Sequence, residues 1–204
     1  MKKIFILIFI SVIIFYSCGE NYTKEELDYI ESIKQYRKEQ DEWMKNDPNS
    51  PFNAKGKVEF NGLKYFDVDP DFVFKSKIVE YDEKVDVPIF GTKGEERAAL
   101  RFGYLTFKKD DKDYRLNLYA NIGKDSTIYY SIWFTDKTTN KESYGVGRYL
   151  EFILEPNKDH IYTIDFNKAF NPYCSYTSGY SCAIPTEDDY LDLAVTAGEK
   201  KYHD

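Results

Sequence analysis

The sequence predicts a mainly β protein, an antiparallel β-sandwich or barrel of about ten strands preceded by one charged helix. Three observations carry that prediction. Apolar residues alternate at period two in run after run from residue 57 onward, as half-buried strands require. Polar turns separate these runs at short spacing, with little helical pattern between them. Ahead of them, Thr23-Lys-Glu-Glu26 opens a highly charged stretch whose apolar residues recur at helical spacing.

The chain begins with two cations, Lys2 and Lys3, followed by an uncharged run from Ile4 to Tyr16. At 1.5 Å per residue such a run spans roughly 20 Å, short of the ~30 Å hydrocarbon core that a spanning helix must cross. The charged start, the short apolar run and the break at Ser17-Cys18-Gly19 predict a lipoprotein-type signal peptide over residues 1–17. Phe15 and Tyr16 stand where small or Leu-like residues are usual. Cleavage would leave Cys18 as a lipidated first residue, placing the protein in the cell envelope, anchored to a membrane by its acyl chains. The alternatives are an ordinary signal peptide with a coincidental Cys and a short membrane anchor. Removing residues 1–17 leaves 187 residues and a formal charge of −9, enough chain for one domain with a sizeable core. An acidic chain without a basic stripe argues against nucleic acid as a partner.

Residues 18–50 are expected to carry the lipid and the helix, and residues 51–204 the β domain. Thr23 and Glu26 form a capping box. Leu27, Ile30, Ile33, Tyr36 and Trp43 give the helix, from about 24 to 45, a thin apolar stripe able to dock loosely on a core. Asp47-Pro48-Asn49-Ser50-Pro51 ends it. Asn61-Gly62, between 57–60 and 63–66, predicts a type I′ hairpin. Further strands are expected at 72–81, 85–90, 98–107, 114–120, 128–135, 149–154, 161–166 and 191–197. Tyr and Phe supply most of the 18% aromatic content, which suits strands as well as it would suit a glycan-binding surface.

Two stretches break the β pattern, 136–149 and 165–185. Both are rich in aromatics and in residues with fixed hydrogen-bonding geometry, so they are expected to be ordered and to hold any site. They contribute to a set of pieces in one order: Ser50-Pro51, Phe60-Asn-Gly-Leu63, Phe134-x-Asp136, Ser143-Tyr-Gly-Val-Gly-Arg-Tyr149, Asp165-Phe-Asn-x-Ala-x-Asn-Pro-Tyr-Cys174, Tyr180-Ser-Cys182 and Ala197-Gly-Glu-Lys200. With these, residues from about 36 to 200 resemble the family catalogued as domain of unknown function 1684 (DUF1684). The resemblance implies a shared domain and site and brings no activity with it. After Cys182 this chain has Ala-Ile-Pro-Thr-Glu-Asp where the family usually has a Pro-rich stretch and a Glu-Asn pair.

Beyond Cys18, the remaining cysteines are Cys174 and Cys182. In an exported protein the pair reads as a disulfide, closing a short loop for roughly 2.5 kcal/mol. A metal site with His160 and His203, at no recognised ligand spacing, and two free thiols are the alternatives. The polar residues of the long segments, Asp136, Glu142, Tyr144, Arg148, Asp165, Asn167 and Asn171, are the candidate ligand or catalytic constellation. Arg148 could clamp a carboxylate or phosphate, and two nearby carboxylates could divide acid and base work. Equally, Arg148 could pair with Asp136 or Asp165 in a buried network that staples the loops, with Asp165, Asn167 and Asn171 capping turns. The chain has no G-x-S-x-G, H-E-x-x-H or Walker A motif, and a Ser-His-Asp triad would need His160 or the penultimate His203. Asp67-Val-Asp-Pro-Asp71 lacks the Gly and closing Glu of a calcium loop. No metal or cofactor is expected.

The leading expectation is therefore an envelope lipoprotein binding a small polar ligand or an envelope partner near Arg148. The competing one is a hydrolase using Asp136, Glu142 or Asp165 with Arg148 as the electrostatic anchor, and a third is a purely structural envelope component. The anchor has its own check: Cys18→Ala should abolish the acyl mass and release the protein from the membrane fraction, and unchanged fractionation would refute it.

Overall fold

The structure, a computed structural model, describes residues 22–123 and 125–203. The expected signal peptide, 1–17, and Cys18 lie outside the described residues. Helix α1 (Lys24–Asn46) starts as its sequence dictates: Thr23 Oγ1 accepts from Glu26 N at 3.3 Å, and the Glu26 carboxylate accepts from Thr23 N at 2.6 Å. This capping box satisfies amides that a helix start leaves orphaned. Asp47, in extended conformation, stops the helix one residue before Pro48. Ile33 and Met44 are buried against the β domain, while Leu27 stays half exposed. Polar bonds pin the docking: Tyr29 OH donates to Asp165 Oδ1 at 2.8 Å, and Arg37 Nη1 donates to Phe66 O at 2.8 Å.

The rest is mainly β, with one curled sheet open as a half-barrel. Eight strands form among the described residues: β1 (Val73–Ser76), β2 (Val79–Phe90), β3 (Glu96–Lys109), β4 (Lys112–Ile122), β5 (Ile128–Asp136), β6 (Arg148–Leu150), β7 (Tyr162–Asp165) and β8 (Tyr190–Leu191). β2 to β6 run as an antiparallel meander, β8 joins β5 in parallel, and β1 pairs with β7 apart from them. Register breaks between Glu80 and Val85 and between Arg101 and Gly103 interrupt the long ladders. Such bulges increase local twist and bend a sheet.

The two strands missing from the expected ten are those of the Asn61-Gly62 hairpin. A type I′ turn needs positive φ at both central residues, and only Gly62 has it, at +85°. Tertiary partners take the backbone instead: Asn61 N donates to Tyr202 OH at 3.0 Å, and Leu63 N to Asp41 Oδ1 at 3.2 Å. The double left-handed turn is found at Asp110-Asp111, with φ of 51° and 59°, where Lys109 faces Lys112 across the β3–β4 hairpin.

Strand alternation sorts the core into two faces. Leu105, Leu116, Leu118, Ile132 and Phe134 pack with Ile164 and Phe166 on one side. One residue out of phase, Tyr119 and Trp133 stack at 4.5 Å on the other, beside Ile89 and Ala99. The buried Asp189 fastens this second face. It accepts from Asn117 Nδ2, Tyr119 OH and Trp133 Nε1, and from both the amide and the hydroxyl of Thr186.

The expected last strand keeps its alternation, with Leu191, Leu193, Val195 and Ala197 all buried, yet only its first residues join the sheet. Beyond them Arg148 replaces the ladder. Its Nη2 donates to Val195 O at 2.8 Å, and its Nη1 donates to Ala197 O and, at 3.3 Å, to Glu199 O. Nη2 also donates to Asp136 Oδ2 at 2.8 Å. The side chain is 0% exposed. Burial draws the guanidinium pKa down and the Asp136 carboxylate opposes it; arginine nonetheless stays charged. Gly198, at φ +79°, makes the next turn against Phe166 O and Ala169 O, each 2.6 Å from where a Cβ would stand. Arg148→Ala should therefore cost about 3–5 kcal/mol, because Asp136 is left buried and unpaired. Equilibrium urea unfolding measures this, and a loss below ~1 kcal/mol would mean that packing alone holds the segment.

Candidate functional site

The segments after β6 and β7 border three hollows of ≈ 670, ≈ 260 and ≈ 470 Å³, the first two also lined by α1. Glu151, the residue following β6, lines all three, Tyr36 and Lys168 line the first two, and Phe170 and Tyr173 the last two. The shared walls make them parts of one cleft, in the size range of small-molecule sites.

The first hollow has an apolar floor, with Ile33, Leu105, Ile132 and Ile164 among its lining. Glu151 and Lys168 stand on its rim. Glu151 is exposed and has no hydrogen-bond or ion-pair partner among the described residues. Lys168 is loosely held, its Nζ 4.0 Å from Asp165 Oδ2 and 5.4 Å from the Tyr36 ring centre. The second hollow is lined by Glu199, a 3% exposed carboxylate. Both of its hydrogen bonds fall on Oε2, from Asn171 N at 3.0 Å and Tyr176 OH at 2.6 Å. Burial pushes its carboxyl up to about 7, against those hydrogen bonds and the charge of Arg148. Tyr65, in the same wall, has a buried hydroxyl without a partner. Burial, with the charges of Glu151 and Glu199, raises the Tyr36 phenol to about 12. A carboxyl that titrates near neutrality beside a cavity is equipped to take up or release a proton.

The seven expected polar residues do not form one constellation. Asp136 and Arg148 meet in the buried staple, where Thr138 N donates to Asp136 Oδ1 at 2.6 Å. Asp165 and Asn167 meet beneath α1. Asp165 Oδ1 accepts from Asn167 N at 3.0 Å and from Tyr29 OH; Asn167 Nδ2 donates to Tyr29 OH and to Asp69 O, and Asn167 Oδ1 accepts from Asp69 N. Asn171 positions Glu199 through its amide and donates from Nδ2 to Lys200 O at 2.8 Å. Glu142 lies on the surface, and Tyr144 turns to Cys174 at 3.9 Å. Of the seven, only Asp165 lines the cleft.

Cys174 and Cys182, expected as a disulfide, stand as free thiols. Each is pinned by its own neighbours. Cys174 N donates to Cys182 Sγ at 3.2 Å, while Cys182 exchanges hydrogen bonds with Thr92 through N and O. Among the described residues no group of three or more His, Cys, Asp or Glu could hold a metal ion. His160 packs on Tyr162, and His203 Nε2 lies 3.3 Å from Tyr176 O.

Sequence reasoning missed Glu151, Lys168 and Glu199. Glu199 sits inside the quoted Ala197-Gly-Glu-Lys200 piece, but nothing local says that this carboxylate, of 35 acidic residues, is the buried one. Its titration makes a prediction. The unfolded chain releases this proton at the ordinary 4.5 and the folded one near 7. Its contribution is therefore complete below pH 4.5, declines between the two values and is gone above pH 7, a loss of roughly 3 kcal/mol. Glu199→Gln should abolish that decline, so the stability gap between variant and parent should change from pH 5 to pH 8 in urea unfolding. A constant gap would show that the carboxylate is ionised throughout.

Residues 58–200 of the chain match the model of the family described as protein of unknown function, DUF1684. The solution NMR structure of an uncharacterized protein from Haloarcula marismortui is similar at 29% identity and a TM-score of 0.61, with 86% of this chain and 96% of that one covered. No curated protein matches. The ordered pieces around the staple, the Asn171–Glu199 contact and the paired cysteines fall within the matched span, and the chain belongs to the DUF1684 family.

Proposed function

We propose that this is a lipid-anchored envelope protein that binds a small zwitterionic molecule of amino-acid type in the cleft between α1 and the segments after β6 and β7. The observation that carries the reading is the pairing of an unpartnered carboxylate, Glu151, with a loosely held ammonium, Lys168, over one apolar floor. Glu151 would receive the ligand's ammonium group and Lys168 its carboxylate. The aromatic and aliphatic walls would take an apolar side chain. Arg148 serves the site indirectly, since its guanidinium holds the backbone carbonyl of Glu199. Anchoring is supported by the charged start, the short apolar run and Ser17-Cys18-Gly19.

Calorimetric titration with free amino acids, their amides and their N-acetyl derivatives tests the reading. The zwitterions should bind, and the blocked analogues should bind less well. Glu151→Gln and Lys168→Met should each weaken binding roughly ten- to a hundredfold, the value of a charge-assisted hydrogen bond. Because both side chains are exposed, the variants' thermal stability should not change. Absence of binding, or affinity indifferent to both substitutions, would sink the proposal. The hydrolase reading is favoured by one observation, the near-neutral carboxyl of Glu199 in the wall of the second hollow. The amides in the same series serve as its substrates.

A further inference from the structure

Cys174 opens no part of the ligand cleft, yet its surroundings are more elaborate than a structural cysteine requires. It lies in a short 3-10 turn, Tyr173–Ser175, and Cys182 lies beside the end of β2, where Gly91 pairs with Ala183. Both thiols are half-buried, and Cys182 lines the third hollow, whose other walls include Tyr149, Phe170 and Tyr173. The two side chains are in contact, and hydroxyl groups face the first of them: Tyr144 OH donates to Cys174 Sγ at 3.9 Å. Hydrogen bonds from Cys182, Thr92 and Tyr144 hold the Cys174 thiol down to about 6, whereas its contact with Cys174 and its burial push Cys182 up. The hydrogen bonds around the pair thus favour the thiolate at Cys174 over Cys182. Nucleophilic thiols are distinguished from inert ones by such donors and by access.

We propose that Cys174 and Cys182 are a redox-active dithiol that undergoes thiol–disulfide exchange with the disulfide of a small peptide. The Cys174 thiolate attacks one sulfur of the peptide disulfide. That S–S bond breaks, a mixed disulfide forms on Cys174, and the first peptide thiolate leaves and is protonated. Cys182 then gives up its proton and attacks Cys174 Sγ, expelling the second peptide thiol. Two protein thiols are oxidised by two electrons, one disulfide is reduced to two thiols, and the protons pass from the cysteines to the products. The bridge expected from the sequence is the oxidised end of this cycle. The inference is independent of the zwitterion site, because no step uses Glu151 or Lys168.

The test equilibrates the full chain in mixtures of oxidised and reduced glutathione, quenches by alkylation and reads peptide masses, which separates this pair from Cys18. The bridged fraction should follow the mixture reversibly, reached equally from the oxidised and the reduced side. Cys182→Ser should accumulate one glutathionyl adduct on Cys174, at least about tenfold faster than Cys174→Ser acquires one on Cys182, because the attacking sulfur is the one held as thiolate. A bridge that the folded protein keeps in the most reducing mixture, thiols that never bridge in the most oxidising one, or adducts formed equally on both sulfurs would overturn the proposal. Should the serine variants fail to fold, the titration of the native pair decides alone.

Discussion

The guanidinium of Arg148 stands where the C-terminal segment would otherwise need a neighbouring strand. Three carbonyls of that segment, at Val195, Ala197 and Glu199, accept from it. One buried side chain therefore does what a ladder does elsewhere, and from the inside. A charge in such a place is tolerable only with a counter-charge at hand. Asp136 provides it and is itself held by Thr138 N. A lysine, with one point charge and no planar fork, could not meet five acceptors at once, Thr138 Oγ1 at 3.5 Å being the fifth.

The staple acts on Glu199 too, but against the shift that burial causes. Two carboxylates, Asp136 and Glu199, are buried near one guanidinium. Asp136 takes the direct ion pair at 2.8 Å, whereas Arg148 meets Glu199 through its backbone carbonyl. The positive charge lowers the Glu199 pKa, but the effect is smaller than that of burial. Gly198 enforces the arrangement, since its positive φ and its close approach to two carbonyls fix where residue 199 begins.

What the sequence made legible follows from how local each signal is. The capping box at Thr23 and Glu26, the stop before Pro48 and the long strands β3, β4 and β5 rest on neighbours a few residues apart, and they appear where the pattern puts them. Asn61-Gly62 is equally local, yet the hairpin does not form, because Tyr202 and Asp41 reach the backbone from distant parts of the chain. The buried alternation from Leu191 to Ala197 was readable, while its partner was not: a side chain 47 residues from Val195 replaces a strand. The site was least legible of all. Arg148, Asp136 and Asn167 stand out because their chemistry is conspicuous, and buried fastenings need conspicuous chemistry too. Glu151 and Lys168 look like ordinary surface charges in the sequence. Only the fold, which lines the first hollow with α1 and the segments after β6 and β7, brings them over one floor.

The same fold shows what a carboxylate looks like when its work is structural. Asp189 accepts five hydrogen bonds shared over both oxygens, from Asn117, Tyr119, Trp133 and Thr186, and it lines none of the three hollows. Every acceptor that matters is met, as a buried polar group requires. Glu199 is as deeply buried and accepts two bonds on one oxygen, beside a tyrosine hydroxyl that has no partner. Desolvating a carboxyl without supplying its donors is unfavourable in a way that only neutralisation relieves, and a group held at that point changes charge with small changes in what lies next to it. An occupant bringing an ammonium group into the cleft would favour the ionised form. Glu199, with few donors at the wall of a hollow, is thus a carboxylate whose state a neighbouring charge can set.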